Sequence, residues 1–468
     1  MSLPEPFSAE AFRPVSVVRD HTLHLGTESI AFRSVCEDTV CYTPEGTPEA
    51  SIFTISYERT DVDGPRPVAF VWNGGPGSAT STLHLECLGP YGISQDEEGR
   101  STYGLTENPL CILDVCDLVF VDPVGVGLSR LLDPKKAGKY YSVDGDARSV
   151  AFTIVEYLRR RGRWDSPITL IGESYGTVRA CRVLAELGRS PYSESRMVLG
   201  IPVSNVVLIG LATSKDRSDI DETLALMPAM AATHWYHTHD GDMTSEDFHA
   251  FVEDAWTFAG SDLLSAQFEG NTLSPQKVHG LSERLEAFTG LSARYWDSHN
   301  LHLGSVRDFM TGAVPGFTID LYDSRNKTPA DQPYNEIGSS NVPIRVMNGL
   351  LLPKLGFSED RLYYTGNINV NAQFAYDTEP FDPPFMRTHI DCLRDSMQAN
   401  PQMRVLFASG LFDLCTYVGN TRYVISHAGL PMDRVTHVQY PGGHGVYSTQ
   451  EGKAALMADL RRMLRGNT

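Results

Sequence analysis

The sequence predicts an α/β fold: a mostly parallel central sheet flanked by helices, interrupted by a largely helical insertion. Two observations carry this. Short, apolar, β-rich runs recur at Pro67–Trp72, Asp117–Asp122, Ile168–Ile171, Val206–Gly210 and Met403–Ala408, and helical patterns separate several of them. That alternation belongs to parallel sheets buried on both faces. Further, Ile168–Ile171 runs directly into Gly172-Glu173-Ser174-Tyr175-Gly176, and Val178–Leu187 then reads as a buried helix. Strand, tight turn and helix around Gly-x-Ser-x-Gly is the context in which that pattern means a nucleophile elbow.

The first sixty residues are strand-rich, with Thr22–Leu25, Glu28–Phe32 and the alternating Ser51–Tyr57. Turn residues at Glu45-Gly46-Thr47-Pro48 and Asp63-Gly64-Pro65 punctuate them, so an antiparallel edge leading into the larger sheet is expected. The Pro67–Trp72 strand ends at Asn73-Gly74-Gly75-Pro76-Gly77-Ser78. A glycine-rich turn past a strand exposes backbone N–H groups. Phosphate binding is one use, but neither Gly-x-Gly-x-x-Gly nor a Walker lysine is present. An oxyanion donor loop of an α/β-hydrolase is the other, and the downstream elbow favours it.

Asp117–Asp122 is followed by Pro123-Val124-Gly125-Val126-Gly127-Leu128-Ser129, and then Ala147, Val150, Ala151, Ile154, Val155 and Leu158 recur at helical spacing. From about 213 to 395 the strand–helix rhythm stops. This part reads as an inserted cap over the sheet's carboxyl edge, where open α/β sheets bind ligands, with a Gly/Pro/Asn-rich stretch from Pro315 to Asn341. The expected organisation is therefore core (1–212), cap (213–395) and core again (396–468). The second core part holds Met403–Ala408, running into Ser409-Gly410-Leu411-Phe412-Asp413, then Val435–Tyr440 before Pro441-Gly442-Gly443-His444-Gly445, and a closing helix from Thr449 to Arg465.

A serine hydroxyl is a poor nucleophile until a base takes its proton and a third group orients the base. In this architecture the order is Ser, acid, His, which Ser174, Asp413 and His444 satisfy, the last two each on a loop after a strand. Two competitors are weaker. His234, His237 and His239 with Asp240 form a compact group, but Trp235 and Tyr236 interleave them and no His-Glu-x-x-His pattern exists; a cap-helix surface is expected, with no metal. Cys415 lacks an elbow and reads as a packed thiol near the site.

Bulk composition narrows the class. The 468 residues are 41% hydrophobic and 21% charged, with 39 Lys and Arg against 58 Asp and Glu, a formal charge of −19. Nucleic acid and anionic membranes are disfavoured as partners. The longest basic run, Arg159-Arg160-Arg161, suits a helix C-terminus. Met1–Val18 carries Glu5, Glu10, Pro4, Pro6 and Pro14 and no apolar core of a secretion signal. No run of eighteen apolar residues spans a bilayer. Eight cysteines (36, 41, 87, 111, 116, 181, 392 and 415) are too few for a disulfide framework. Cys36 and Cys41 could pair across a hairpin, but reduced thiols are the expectation, and the Asn326-Lys327-Thr328 sequon reads as chance. A cytoplasmic protein is expected.

Asn73-Gly74-Gly75-Pro76-Gly77-Ser78, Gly172-Glu173-Ser174-Tyr175-Gly176, Phe120–Ser129, Asp413 and Gly443-His444 together resemble the serine carboxypeptidase family. The extended Gly-Glu-Ser-Tyr-Gly-Thr-x-Arg-Ala form is most similar to its bacterial members. The resemblance implies release of a C-terminal amino acid from a peptide, without a cofactor. It implies backbone donors at Gly75 and Tyr175 for the oxyanion, and binding of the substrate's terminal carboxylate by Asn73 and Glu173. Two carboxyls share a site most easily when one is protonated, which fits a preference for acid pH. Departures from the family pattern fall around the site: Val71 where a Trp is frequent, Ser78 in place of a Cys, Cys87 where a carboxylate is expected with Glu86 adjacent, and Gly445 in place of a Met. They bear on substrate more than on chemistry. An acyltransferase or esterase with the same triad is the alternative, and a non-catalytic binding protein on this scaffold a third reading.

Overall fold

The structure, a computed structural model, describes residues 9–96, 101–188, 200–213, 220–332, 342–358, 360–376 and 388–466. Its strands in chain order are β1 (Ser16–Leu25), β2 (Glu28–Tyr42), β3 (Pro48–Arg59), β4 (Val68–Trp72), β5 (Tyr91–Gln95), β6 (Ser101–Glu107), β7 (Asp117–Asp122), β8 (Arg130–Leu131), β9 (Ile168–Glu173), β10 (Asn205–Ile209), β11 (Phe317–Ile319), β12 (Lys327–Pro329), β13 (Arg404–Gly410) and β14 (Val435–Tyr440). The central sheet runs β1-β2-β3-β7-β4-β9-β10-β13-β14, with β8 on β3. From β7 to β14 every neighbouring pair is parallel, whereas β1, β2 and β3 form the antiparallel edge.

The parallel strands are apolar runs because both their faces are covered. β4, β7, β9 and β10 are buried along their whole length. Two large cores lie on opposite faces: one contains Val71, Ile171 and Val207, the other Phe70, Leu170, Val206 and Leu208. Alternate residues of single strands thus serve different cores, as the period of two requires. The Val143–Arg161 helix packs on the second core. It is capped by the Ser142 side chain accepting from the Gly145 N–H, and it stops at Gly162 in the left-handed region. The arginine triplet does fall in its last turn, where Arg161 pairs with Glu37 and Glu58 and Arg159 with Glu156.

One expectation at the amino end is corrected. β1 and β2 are longer than the apolar spacing suggested, because polar residues such as Arg19, Asp20 and Arg33 sit on the partly exposed edge and cross-strand pairs carry them. Cys36 and Cys41 lie on one strand, β2, so no hairpin brings them together, and no disulfide joins any of the eight cysteines. The β5–β6 hairpin has no strong alternation and was not anticipated.

Between β10 and β13 the chain is mainly helical. The Glu222–Thr238 helix nucleates a separate core with Met227, Met230, Phe258, Trp296 and Phe309. Residues from Val346 to Tyr363 instead join the core that also holds Phe32, Phe53 and Phe120. The Pro315–Asn341 stretch forms the short β11–β12 pair; residues 333–341 lie outside the described residues, as do 1–8 of the amino-terminal segment read for a leader. Among the described residues no helix is long and apolar enough to cross a membrane.

Candidate active site

Ser174 stands between β9 and the Tyr175–Leu187 helix with φ 57° and ψ −131°. Positive φ is unfavourable for a residue with a Cβ and is found where surrounding structure enforces it. The flanking glycines show how the turn is enforced. A Cβ on Gly172 would lie 2.2 Å from the Gly176 carbonyl oxygen, and one on Gly176 would lie 2.9 Å from the Trp72 ring. Trp72 itself donates its indole N–H to the Gly176 carbonyl at 2.8 Å. Strand, turn and helix are thus bolted to the end of β4.

The Asn73–Ser78 loop leaves β4 beside this turn. A Cβ on Gly74 would stand 2.6 Å from the Tyr175 nitrogen and 2.8 Å from Ser174 Cβ, so only glycine lets the loop approach the elbow. Gly75 has φ 102°. Among the described residues, neither the Gly75 nor the Tyr175 N–H finds an acceptor in the protein, which leaves two donors beside the serine. Asp122 anchors the far side of the loop, accepting from the Thr80 N–H at 2.9 Å and the Tyr363 hydroxyl at 3.0 Å. Its burial pushes its carboxyl up to about 6 despite these donors.

Asp413 and His444 meet at the ends of β13 and β14. His444 Nδ1 lies 2.8 Å from Asp413 Oδ2. Asp413 is completely buried and its carboxylate is fully engaged: Oδ1 accepts from the Cys415 and Thr416 N–H groups at 2.7 and 3.0 Å, and Oδ2 accepts from the Thr416 hydroxyl at 2.5 Å. Burial disfavours the imidazolium, but the charge and hydrogen bond of Asp413, with Glu173 behind, outweigh it and raise His444; burial likewise opposes ionisation of Asp413, and His444 and Thr416 overcome it. Ser174 and His444 flank one chain crossing. The Ser174 N–H donates to the Ile209 carbonyl at 2.9 Å, and the His444 ring lies 3.3 Å from the place of a Cβ on Gly210. No Ser174–His444 hydrogen bond forms among the described residues; such bonds are often long without substrate.

Glu173, directly before the serine, is buried. Its carboxyl accepts from the Asn73 side-chain amide and from the Tyr447 hydroxyl, at 2.9 Å to Oε1 and 3.1 Å to Oε2. Burial pushes it up to about 7; His444 and Tyr447 act against the rise, and the charges of Glu86 and Asp413 add to it. Asn73 and Glu173 are thus in contact, although a hundred residues separate them.

Several residues of the site carried no signal in the sequence. Thr416 bridges Asp413 and His444 Nδ1, the latter at 3.1 Å; its place three residues after an aspartate in a loop was the only available cue. Tyr447 had none. Residues 321–325 strap the loops of Asp413 and His444: the Ser324 N–H donates to the Phe412 carbonyl at 3.0 Å, the Leu414 N–H to the Leu321 carbonyl at 3.1 Å, and the His444 N–H to the Tyr322 carbonyl at 2.6 Å. The exposed Tyr322 ring stands 5.4 Å from the His444 ring. The histidine group is dispersed: His237 Nε2 lies 2.8 Å from the Ser324 carbonyl oxygen, whereas His239 stacks on Trp235 at 3.7 Å. Cys415 contributes its N–H to Asp413.

The family model described as serine carboxypeptidase matches residues 42–196, the segment with the Asn73–Ser78 loop and the elbow. No curated protein matches by sequence. Among solved structures, a prohormone-processing carboxypeptidase from Saccharomyces cerevisiae is 12% identical with a TM-score of 0.58, over 92% of this chain and 91% of that one. A peroxisomal alpha-beta-hydrolase from the same yeast (10% identity, TM-score 0.39, 98% and 90% covered) and a possible aryl esterase from Burkholderia cenocepacia (13%, 0.37, 92% and 98%) are looser likenesses and carry no weight. The family match supports a serine hydrolase, and at these identities the structural likeness speaks for the fold. The chain has the α/β-hydrolase fold, and its residues 42–196 match the serine carboxypeptidase family model.

Proposed function

We propose that this protein is a serine carboxypeptidase that releases C-terminal amino acids from peptides through an acyl-enzyme on Ser174. The contact of Asn73 with Glu173 immediately behind the serine carries the reading. Glu173 holds its proton up to about pH 7, and a neutral carboxyl beside an amide can accept the terminal carboxylate of a peptide without like-charge repulsion. The scissile carbonyl then faces Ser174 Oγ. His444 takes the hydroxyl proton as the C–O bond forms, Asp413 keeps the imidazole oriented, and the N–H groups of Gly75 and Tyr175 receive the oxyanion. His444 returns the proton to the leaving amine, and water repeats the sequence to free the acyl group. No cofactor is needed. The net charge of −19 is consistent with a small peptide or acyl substrate and without nucleic acid or membrane as partner. Eight cysteines with no disulfide between them suit a reducing compartment, and a cytoplasmic location is part of the proposal.

One observation favours a second reading, an esterase or acyltransferase on the same triad: both oxygens of Glu173 already accept from Tyr447, and Asn73 is turned onto Glu173. The test is a pair of N-blocked dipeptides, one with a free C-terminal carboxylate and one amidated, assayed from pH 4 to 9. The carboxypeptidase reading expects the free acid to be cleaved preferentially, with the preference fading above about pH 7. Cleavage of simple esters with neither peptide cleaved sinks it in favour of the second reading.

A further inference from the structure

Arg179 has no part in the chemistry above, yet it touches both sides of the proposed oxyanion hole. It lies on the elbow helix one turn past Ser174 and is 1% exposed. Its Nε donates to Asp146 Oδ2 at 2.7 Å, and its Nη1 donates to the Asn73 carbonyl oxygen at 2.7 Å. The guanidinium carbon sits 5.3 Å from the centre of the Tyr175 ring. Asp146 comes from a third element, the Val143–Arg161 helix, and is also buried.

Stability alone is a poor account of this pair. Removing two charges from water costs several kcal/mol per ion, and packed apolar residues of similar volume often do as well or better. What the pair uniquely fixes is a peptide plane. The Asn73 carbonyl and the Gly74 N–H share one rigid unit, so a donor pinned to that oxygen sets the direction in which the chain enters Gly75. The loop cannot set it alone: Gly74, Gly75 and Gly77 occupy four positions with Pro76, and Gly75 and Gly77 have φ of 102° and 92°. The Asn73 side chain is held independently, with Oδ1 accepting from the Leu83 N–H at 3.0 Å and the amide on Glu173. Those bonds leave the peptide plane to Arg179.

We infer that Arg179, oriented by Asp146, is a positioning residue that holds the Asn73–Gly74 peptide and Tyr175 in register, so that the Gly75 and Tyr175 N–H groups converge on one oxyanion. This rests on the reading of those two N–H groups as the oxyanion donors. The planar fork of arginine matters: lysine keeps the charge and can pair with Asp146, but it has no second, rigidly placed nitrogen for the Asn73 carbonyl.

The full-length protein and its Arg179→Lys, Arg179→Met and Asp146→Asn variants test it with p-nitrophenyl acetate, phenylboronic acid and a fluorophosphonate that counts active serines. Per active site, Arg179→Lys is expected to lower kcat at least about tenfold, short of the roughly 10²–10³ lost when a donor is removed outright. KM should stay within about twofold, because the lost interaction belongs to the transition state. Phenylboronic acid, which mimics the tetrahedral adduct, should weaken in parallel with kcat/KM, and Asp146→Asn should reproduce the pattern. A purely structural role would lower the thermal midpoint and the number of active sites without this split. A folded Arg179→Lys protein with kcat and boronate affinity within twofold of wild type overturns the inference, as does failure of all three variants to fold. If the wild type neither hydrolyses the ester nor takes the fluorophosphonate, the hydrolase reading falls and this inference with it; an active wild type with unaffected variants removes this inference alone.

Discussion

Replacing Glu173 by glutamine reads the electrostatics of the site through folding as well as through turnover. Burial raises the Glu173 carboxyl from its ordinary 4.5 to about 7, so the folded protein holds this proton more tightly than the unfolded chain does. The unfolded chain therefore ionises first, and the stability that the protonated group allows is complete below about pH 4.5 and lost as pH rises to about 7. Each tenfold change in proton affinity is worth about 1.4 kcal/mol, which makes the loss about 3 kcal/mol. At 4% exposure little of this is screened by solvent. Glutamine is nearly isosteric, can still accept from Asn73 and face Tyr447, and does not titrate. Glu173→Gln should therefore gain about 3 kcal/mol on the wild type between pH 4 and pH 8. His444, raised mainly by Asp413, contributes in the same sense, its stabilisation being lost as pH rises from its ordinary value through its raised one; it does so in both proteins and largely cancels. Urea midpoints and slopes of the two proteins at both pH values measure the difference. A wild-type-to-variant gap that is the same at pH 4 and pH 8 refutes the reasoning. In kinetics the same variant, neutral at every pH, should keep its preference for free-acid over amidated dipeptides above about pH 7, where the wild type loses it, while retaining ester hydrolysis.

Ser174→Ala and His444→Ala should each abolish turnover, and the double variant should be no worse than either, because such residues act as a unit; residual activity within tenfold of wild type in Ser174→Ala would remove the proposed nucleophile. Thr416→Val, which loses the bonds to Asp413 and His444 Nδ1, should lower kcat about tenfold with little change in KM, a fraction of a general base's full contribution. Gly74→Ala places a Cβ 2.6 Å from the Tyr175 nitrogen and should cost about 10²-fold in kcat as the donor loop is forced off the elbow. Gly138→Ala, where no atom lies within 4 Å of the new Cβ, is the neutral control in circular dichroism and activity.

The fold was legible where local chemistry and burial agree. Val68–Trp72, Asp117–Asp122 and Ile168–Glu173 are buried on both faces, so their apolar runs announce strands of a parallel sheet, and at the elbow Gly172 is demanded by the Gly176 carbonyl four residues on. The long β1–β2 pair was less legible because its outer residues are charged and its length depends on cross-strand partners. In the site, Ser174, Asp413 and His444 each follow a strand end, a position that patterning reveals. Tyr447, Arg179 with Asp146, and the 321–325 strap act through contacts between distant segments, such as the 2.9 Å bond from Tyr447 to Glu173. Apart from Arg179, which falls in the extended Gly-Glu-Ser-Tyr-Gly-Thr-x-Arg-Ala form, nothing in their own neighbourhoods distinguishes them from ordinary loop and helix residues. Glu86 is intermediate: the sequence placed it beside Cys87, and only the fold brings its charge to bear on Glu173.

The central claim is tested most directly by trapping the acyl-enzyme. An N-blocked dipeptide with a free carboxylate is mixed with the protein at a series of pH values from 5 to 9, quenched in acid, and analysed by mass spectrometry for free amino acid and for acylated peptides. The account predicts release of the C-terminal residue together with an N-blocked acyl adduct on the peptide containing Ser174, both lost in Ser174→Ala. Release that persists in Ser174→Ala, or no release from any such dipeptide while the wild type takes a fluorophosphonate, contradicts it.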